Sequence, residues 1–175
     1  MGGKGGWSHF LRESARSREG RSAFRAWRRS RSLLQGAPAK LRLLAELLRK
    51  HRNGRVIVFT NDNATVYAIS QLLLVPAITH QTDLKERRAL LAAFSEGTLP
   101  VLVTSRVLNE GVDIPAADVA IVLSGTSTVR EHVQRLGRIL RRSEGKQATL
   151  YELVVEQTVE ERTSERRRSH DAYRT

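Results

Sequence analysis

The chain has 175 residues, of which 40% are hydrophobic and none is cysteine, and a formal net charge of +12. That size and apolar fraction suit one globular domain with a proper core, while the missing thiols exclude disulfide frameworks, cysteine nucleophiles and cysteine-based zinc sites. No apolar run approaches the roughly 20 residues a membrane span needs, and the amino terminus lacks the apolar centre of a secretory signal, so the expectation is a cytoplasmic protein with no membrane partner.

The charge is uneven. Residues 1–32 hold nine Lys/Arg against Glu13 and Glu19, a surplus of +7, and the remainder holds 21 against 16, a surplus of +5. Nucleic acid is the commonest polyanionic partner for such a surplus, because each phosphate neutralised by Lys or Arg releases counterions. The blander reading is a basic surface helix that merely meets water. "MGGKGG" reads as a flexible leader outside the fold. Residues 7–35 scatter Trp7, Phe10, Leu11, Phe24 and Trp27 among arginines and read as one or two basic amphipathic helices, broken near Gly20. Residues 1–35 are therefore taken as a basic helical extension.

From Gly36 the pattern is regular. Pro38 opens a helix in which Leu41, Leu44, Ala45 and Leu48 follow the spacing of a buried face, and Asn53-Gly54 ends it. "RVIVFT" (55–60) is a short apolar strand. A helix over about 63–74 carries Val66, Ile69 and Leu73 on one face, and a short strand runs from Pro76 through Ile78. Asp83 with Glu86 forms a capping box for a further helix to Phe94, stopped by Gly97. "PVLVT" (100–104), "DVAIVL" (118–123) and "ATLYELVV" (148–155) are strands, and the charged tail 157–175 reads as a surface helix. Apolar strands alternating with amphipathic helices mean an α/β fold, a parallel sheet covered on both faces over residues 36–156. Ligands of such sheets bind beyond the carboxyl ends of the strands.

The stretch "QRLGRILRR" (134–142) falls on a helix predicted from about Thr128. At 100° per residue Val133, Leu136 and Leu140 share the stripe that packs on the sheet, with Gly137 beside it. Gln134, Arg138 and Arg141 fall within an arc of about 60° that begins past Gly137, next to the stripe, and Arg135 and Arg142 lie beyond that arc. Arginine suits a polyphosphate because its planar fork stays charged and donates in pairs. A solvated helix making salt bridges is the alternative. Ahead of it, "SRVLNEGVDIPAA" (105–117) is a polar segment directly after a buried strand, where the ligand crevice belongs.

Taken in order, "VIVFT", "THQTDLKERRALLAAF", "VTSRVLNEGVDIP" and "QRLGRILRR" resemble the C-terminal RecA-like lobe of superfamily 2 helicases, from about Pro38 to Val155. Gln134 at the head of the last motif looks more like the XPB-type DNA repair and transcription helicases than the DEAD-box RNA helicases. The resemblance implies DNA as the nucleic acid, with RNA as the less favoured alternative, and ATP with Mg2+ as cofactor. By the same resemblance, Arg138 and Arg141 match arginine fingers on the γ-phosphate, and Gln134 matches a residue that orders the site. Asp113 would accept from ribose hydroxyls, with Gly111 letting its loop approach. Thr104 matches a residue on a nucleic-acid phosphate, and Asn61 and Arg106 are weaker candidates for the same track. For Thr104 and Asn61 strand-end capping is the simpler reading, for Asp113 a turn aspartate, and His80 reads as a loop or packing histidine.

A motor of this family also needs a glycine-rich phosphate loop and a carboxylate pair for magnesium. The sequence has no GxxxxGK followed by Ser or Thr, and no acidic DExx-type run after a strand. The expectation is half of an ATPase site, with ATP and Mg2+ bound mainly by an N-terminal lobe of the same parent chain, residues 1–35 as the connection between the lobes, and no metal ligands here. Two other readings compete with it. One is a non-catalytic basic nucleic-acid-binding module. The other is an unrelated nucleotide or cofactor protein, which would want a G-x-G-x-x-G turn that "VIVFTNDNATV" lacks.

Overall fold

Val56, Ile57, Val58 and Phe59 are all fully buried, yet alternate ones enter different cores. A strand does this only when both faces of its sheet are covered. The computed structural model describes residues 4–35, 37–105, 117–123 and 148–168. Chain packing divides them into two units, Met1–Gly36 and Ala37–Thr175.

The first unit is a pair of helices, α1 (Lys4–Arg16) and α2 (Arg18–Gln35). The break falls at Ser17 rather than near Gly20. Ser17 accepts the Gly20 amide on its hydroxyl at 2.8 Å and the Arg21 amide on its carbonyl at 3.1 Å, which satisfies two of the free donors at the start of α2. Gly20 is inside α2, pressed on α1. Lys4, Gly5 and Gly6 belong to α1, so the leader expected from "MGGKGG" is helical from its fourth residue. Phe10 packs on Phe24 at 6.3 Å between ring centroids, and Phe24 stacks on Trp27 at 5.7 Å.

The second unit begins with α3 (Pro38–Lys50), followed by β1 (Val56–Phe59), α4 (Asn63–Leu73), β2 (Ala77–Ile78), α5 (Leu84–Glu96) and β3 (Val101–Thr104). β4 (Val119–Val122), β5 (Thr149–Glu152) and α6 (Val159–Arg168) complete the described elements. All strand pairs are parallel, in the order β2-β3-β1-β4-β5. The register sets Val56 beside Val101 on one side and Val119 on the other.

One core lies between the sheet and α5: Ile57, Phe59, Leu102, Ala120 and Val122 meet Leu91 and Phe94. The other joins Val56, Val58, Val103, Val119 and Ile121 to Leu44 and Leu47 of α3 and Val66 and Ile69 of α4. Fully burying one such side chain is worth about 1.5–3 kcal/mol, so these two layers hold the fold. α3 differs from its sequence reading in which residues it buries. Of the expected face only Leu44 is fully buried, with Leu41, Ala45 and Leu48 half-buried, and the helix buries Leu47 and Lys40 as well. α5 starts where the sequence predicts, with Asp83 accepting from the Lys85 and Glu86 amides, but runs to Glu96, two residues past Phe94, before Gly97 ends it at φ 81°. In the charged tail, Ser164 of α6 is fully buried, with its hydroxyl donating to Glu152 Oε2 at 2.7 Å.

Candidate functional site

In this sheet the chain returns from β2 to β3 beside β1 and then crosses to β4 on the other side of β1. In parallel sheets such a reversal of direction marks the carboxyl ends of the strands beside it, here β1, β3 and β4, as the edge where ligands bind. In sequence, the polar segment "SRVLNEGVDIPAA" (105–117) directly follows Thr104, the last residue of β3, and precedes β4. Of the site residues expected from the sequence, Thr104 and Asn61 fall in the described chain. Arg106, Gly111, Asp113, Gln134, Arg138 and Arg141 lie outside the described residues.

Thr104 and Asn61 do come to the same edge. Thr104 is the last residue of β3 and pairs in register with Phe59, and the Thr60 amide donates to the Thr104 carbonyl at 2.9 Å. Asn61 follows one residue later, half-buried, where the chain turns into α4. Thr104 itself has no exposed surface, and its hydroxyl donates to the Ser105 carbonyl at 3.1 Å. That is a strand-end arrangement. A phosphate reaching this hydroxyl would have to draw it off its backbone acceptor. Thr60 behaves alike, donating to the Asp62 carbonyl at 2.8 Å. Asp62 caps α4, accepting the Thr65 amide at 2.9 Å and the Thr65 hydroxyl at 2.9 Å.

Beyond β2 the turn Thr79–Thr82 extends this polar edge. The Thr79 amide donates to the Thr82 hydroxyl at 2.9 Å, and Tyr67 of α4 reaches across to the Thr79 hydroxyl at 2.9 Å and to Gln81 Oε1 at 2.7 Å. Arg87 of α5 braces the turn from below, donating through Nη2 to the carbonyls of Thr79 at 3.2 Å and Thr82 at 3.4 Å. His80 is exposed, with its Nδ1 2.6 Å from Asn63 Nδ2. Because an amide nitrogen only donates, Nδ1 is the acceptor and a neutral ring carries its proton on Nε2, facing away from Asn63. Sequence reasoning missed the Asn63–His80 and Tyr67–Thr79 links. Their partners are 17 and 12 positions apart, on a helix and a loop, and no local pattern signals that pairing.

Just past the carboxyl end of β4, Lys40 donates from Nζ to the Leu123 carbonyl at 2.8 Å and to Glu160 Oε2 at 2.6 Å. Burial pushes the Lys40 ammonium below its ordinary pKa, against the opposing pull of Glu160 and Glu152.

The helicase conserved C-terminal domain family matches residues 39–143, which include β1 to β4 and every site residue expected from the sequence. The chain belongs to this family. This helicase C-terminal domain is 42% identical over 155 residues to the DNA 3'-5' translocase XPB2 of Sulfurisphaera tokodaii, covering 89% of this chain and 35% of that protein. It is 35% identical over 123 residues to the DNA 3'-5' helicase XPB of Mycobacterium tuberculosis, covering 69% of this chain and 22% of that one. The helicase C-terminal domain thus spans a minor part of the curated relatives it matches. Among solved structures, the C-terminal domain of the DEAD-box protein Dbp5 superposes with a TM-score of 0.65 at 22% identity over 78% of each chain, a likeness of fold. The RecA-like parallel sheet and the resemblance to superfamily 2, with XPB-type relatives, are thereby established for this domain.

Proposed function

We propose that this chain is the second motor lobe of an ATP-dependent superfamily 2 DNA helicase or translocase. The observation that carries the reading is the coincidence of the family match with the sheet's reversal point, since residues 39–143 hold both the crevice strands and the arginine run. The donor set suits a polyphosphate: Gln134, Arg138 and Arg141 offer amide and guanidinium donors, and Asp113 offers the acceptor a ribose requires. ATP with Mg2+, held mainly by a first lobe, would supply the γ-phosphoryl group that passes to water, leaving ADP. Arg138 and Arg141 act as fingers that stabilise charge developing on that group, an effect worth about 10³ to 10⁵ in rate. Gln134 couples the fingers to the DNA groove, and Gly111 lets the Asp113 loop approach.

Thr104, Asn61 and Arg106 form part of the phosphate track, with DNA favoured over RNA. Alternating grip on that track as the cleft between lobes closes and opens moves the motor. With no phosphate-binding loop in its sequence, the chain alone hydrolyses no ATP. The test is DNA-stimulated ATP turnover by a two-lobe protein in which this chain is paired with a first lobe. Arg138→Ala should lower turnover by about three orders of magnitude while DNA binding holds. Unchanged turnover, or hydrolysis by the isolated chain that Arg138→Ala abolishes, overturns the reading. The basic pair α1 and α2 supports a second reading, a non-catalytic DNA-binding module, in which DNA affinity survives Arg138→Ala and drops on removal of residues 7–32.

A further inference from the structure

Lys40 is 4% exposed in the first turn of α3, and three separate stretches of chain meet at its ammonium. It donates to the Leu123 carbonyl and to Glu160 Oε2, and the same Glu160 oxygen accepts the Val155 amide at 3.1 Å. Its partners are 83 and 120 positions away. As a source of stability such a pair is a poor device, because the cost of taking two charges out of water consumes most of their attraction, and apolar replacements are often neutral or better. A buried ammonium does supply direction, which a leucine cannot. It places a charge-assisted hydrogen bond on one chosen carbonyl.

The chosen carbonyl stands at a boundary. The Val122 carbonyl is taken by the Leu153 amide, directly after β5, and the Leu123 amide goes to the Phe59 carbonyl. At the Leu123 carbonyl the sheet ladder gives way to a side chain. In sequence, Leu123 is followed by residues 124–147, the span that holds Gln134, Arg138 and Arg141, and the described chain resumes at Ala148, ahead of β5. A transition state tolerates little displacement of the groups around it, and a shift of about 1 Å caused far from the chemistry can cost about 10² in rate.

We infer that Lys40, held in place by Glu160, is a positioning residue of the motor: it fixes the point where the arginine-bearing segment departs from β4. The inference rests on the motor-lobe reading above. Lys40 touches no substrate in this role, and α6 takes part through Glu160.

The experiment uses the two-lobe protein and measures DNA-stimulated ATP turnover, KM for ATP and thermal melting for Lys40→Met, Glu160→Gln and Arg138→Ala. Lys40→Met should lower kcat by about tenfold to a hundredfold and leave KM for ATP in place. Glu160→Gln retains an oxygen for Lys40 and for the Val155 amide, so it should show a smaller loss of kcat in the same direction. A Lys40→Met protein that melts earlier but turns over at the unaltered rate overturns the inference and makes the pair a structural brace. Where Lys40→Met does not fold, Glu160→Gln decides: reduced kcat in a fully folded protein supports positioning, and unaltered kcat overturns it. Arg138→Ala separates the two levels. If it abolishes turnover and the Lys40 and Glu160 variants do not lower it, only the positioning role falls. If Arg138→Ala is silent, the motor reading falls and takes this inference with it.

Discussion

Gly20 lies so close to Ser14 that a Cβ built on it would be 2.8 Å from the Ser14 Cα and 3.0 Å from the Glu13 carbonyl oxygen. Both obstacles are backbone, which cannot swing aside as a side-chain tip would. This close approach holds α2 against α1 across the Ser17 turn.

Alanine at position 20 is the better helix former by about 1 kcal/mol, but the clash should reverse that advantage. Amide hydrogen exchange should speed up across residues 8–28 in Gly20→Ala and stay as it was across residues 56–104. Slower exchange in the helix pair would show that the two backbones do not approach in this way.

The buried Lys40 predicts a pH dependence of stability. Its pKa in the folded state lies below the ordinary lysine value because of desolvation, with Glu160 and Glu152 opposing. The unfolded chain therefore binds more protons in the window between the lowered value and about 10.4. Lys40's contribution is fully present above that window and is lost as pH falls through the folded value. Urea unfolding of the unaltered chain should show stability gaining with pH in this alkaline range relative to Lys40→Met. Parallel curves for the two proteins would mean the ammonium is not desolvated.

Removing the cap of α4 should loosen the crevice edge. Asp62→Ala leaves the Thr65 amide without the acceptor it has at 2.9 Å and is expected to cost about 1 kcal/mol in denaturant unfolding. Asn61, the adjacent residue, should then show the largest amide chemical-shift change at the crevice.

Gly97 ends α5 at φ 81° with open space where a side chain would project, so its replacement meets backbone strain and no clash. Gly97→Ala should cost about 1–2 kcal/mol, and Gly97→Asn less, because asparagine tolerates this conformation better. Equal losses for the two would point to something other than the backbone angle.

Glutamine in place of Arg21, Arg25, Arg28 and Arg29 tests what the basic helices meet. If they bind DNA phosphates, the slope of log affinity against log salt concentration should flatten by about 0.9 for each phosphate no longer neutralised. A slope that does not change assigns these arginines to solvent.

How far the sequence can be read depends on how local each cause is. The strands were legible because "VIVF" and "VLVT" are apolar throughout, as strands buried on both faces must be, and α5 was legible because Asp83 and Gly97 act within a turn of its ends. The helix break at Ser17 was misread because glycine is the louder signal, although the serine hydroxyl supplies the cap. Lys40 was invisible because a lysine in the first turn of a helix ordinarily faces water, and its carbonyl and carboxylate partners come from distant sequence. At the site, the strand-end rule brought Thr104 and Asn61 to one edge, but the inward donation of the Thr104 hydroxyl depends on a rotamer that no sequence pattern encodes.

β1 occupies the middle of the sheet, yet both its neighbours, Val101–Thr104 and Val119–Val122, are made after it. During synthesis from the amino end, "VIVF" leaves the ribosome with neither edge satisfied and waits through two helices and a short strand for its first neighbour. Long-range parallel pairing is slow and leaves apolar backbone open to wrong associations in the meantime. The nascent chain is therefore most exposed to misassociation between emergence of Phe59 and emergence of Thr104, and a chaperone acting on it has its main task in that interval.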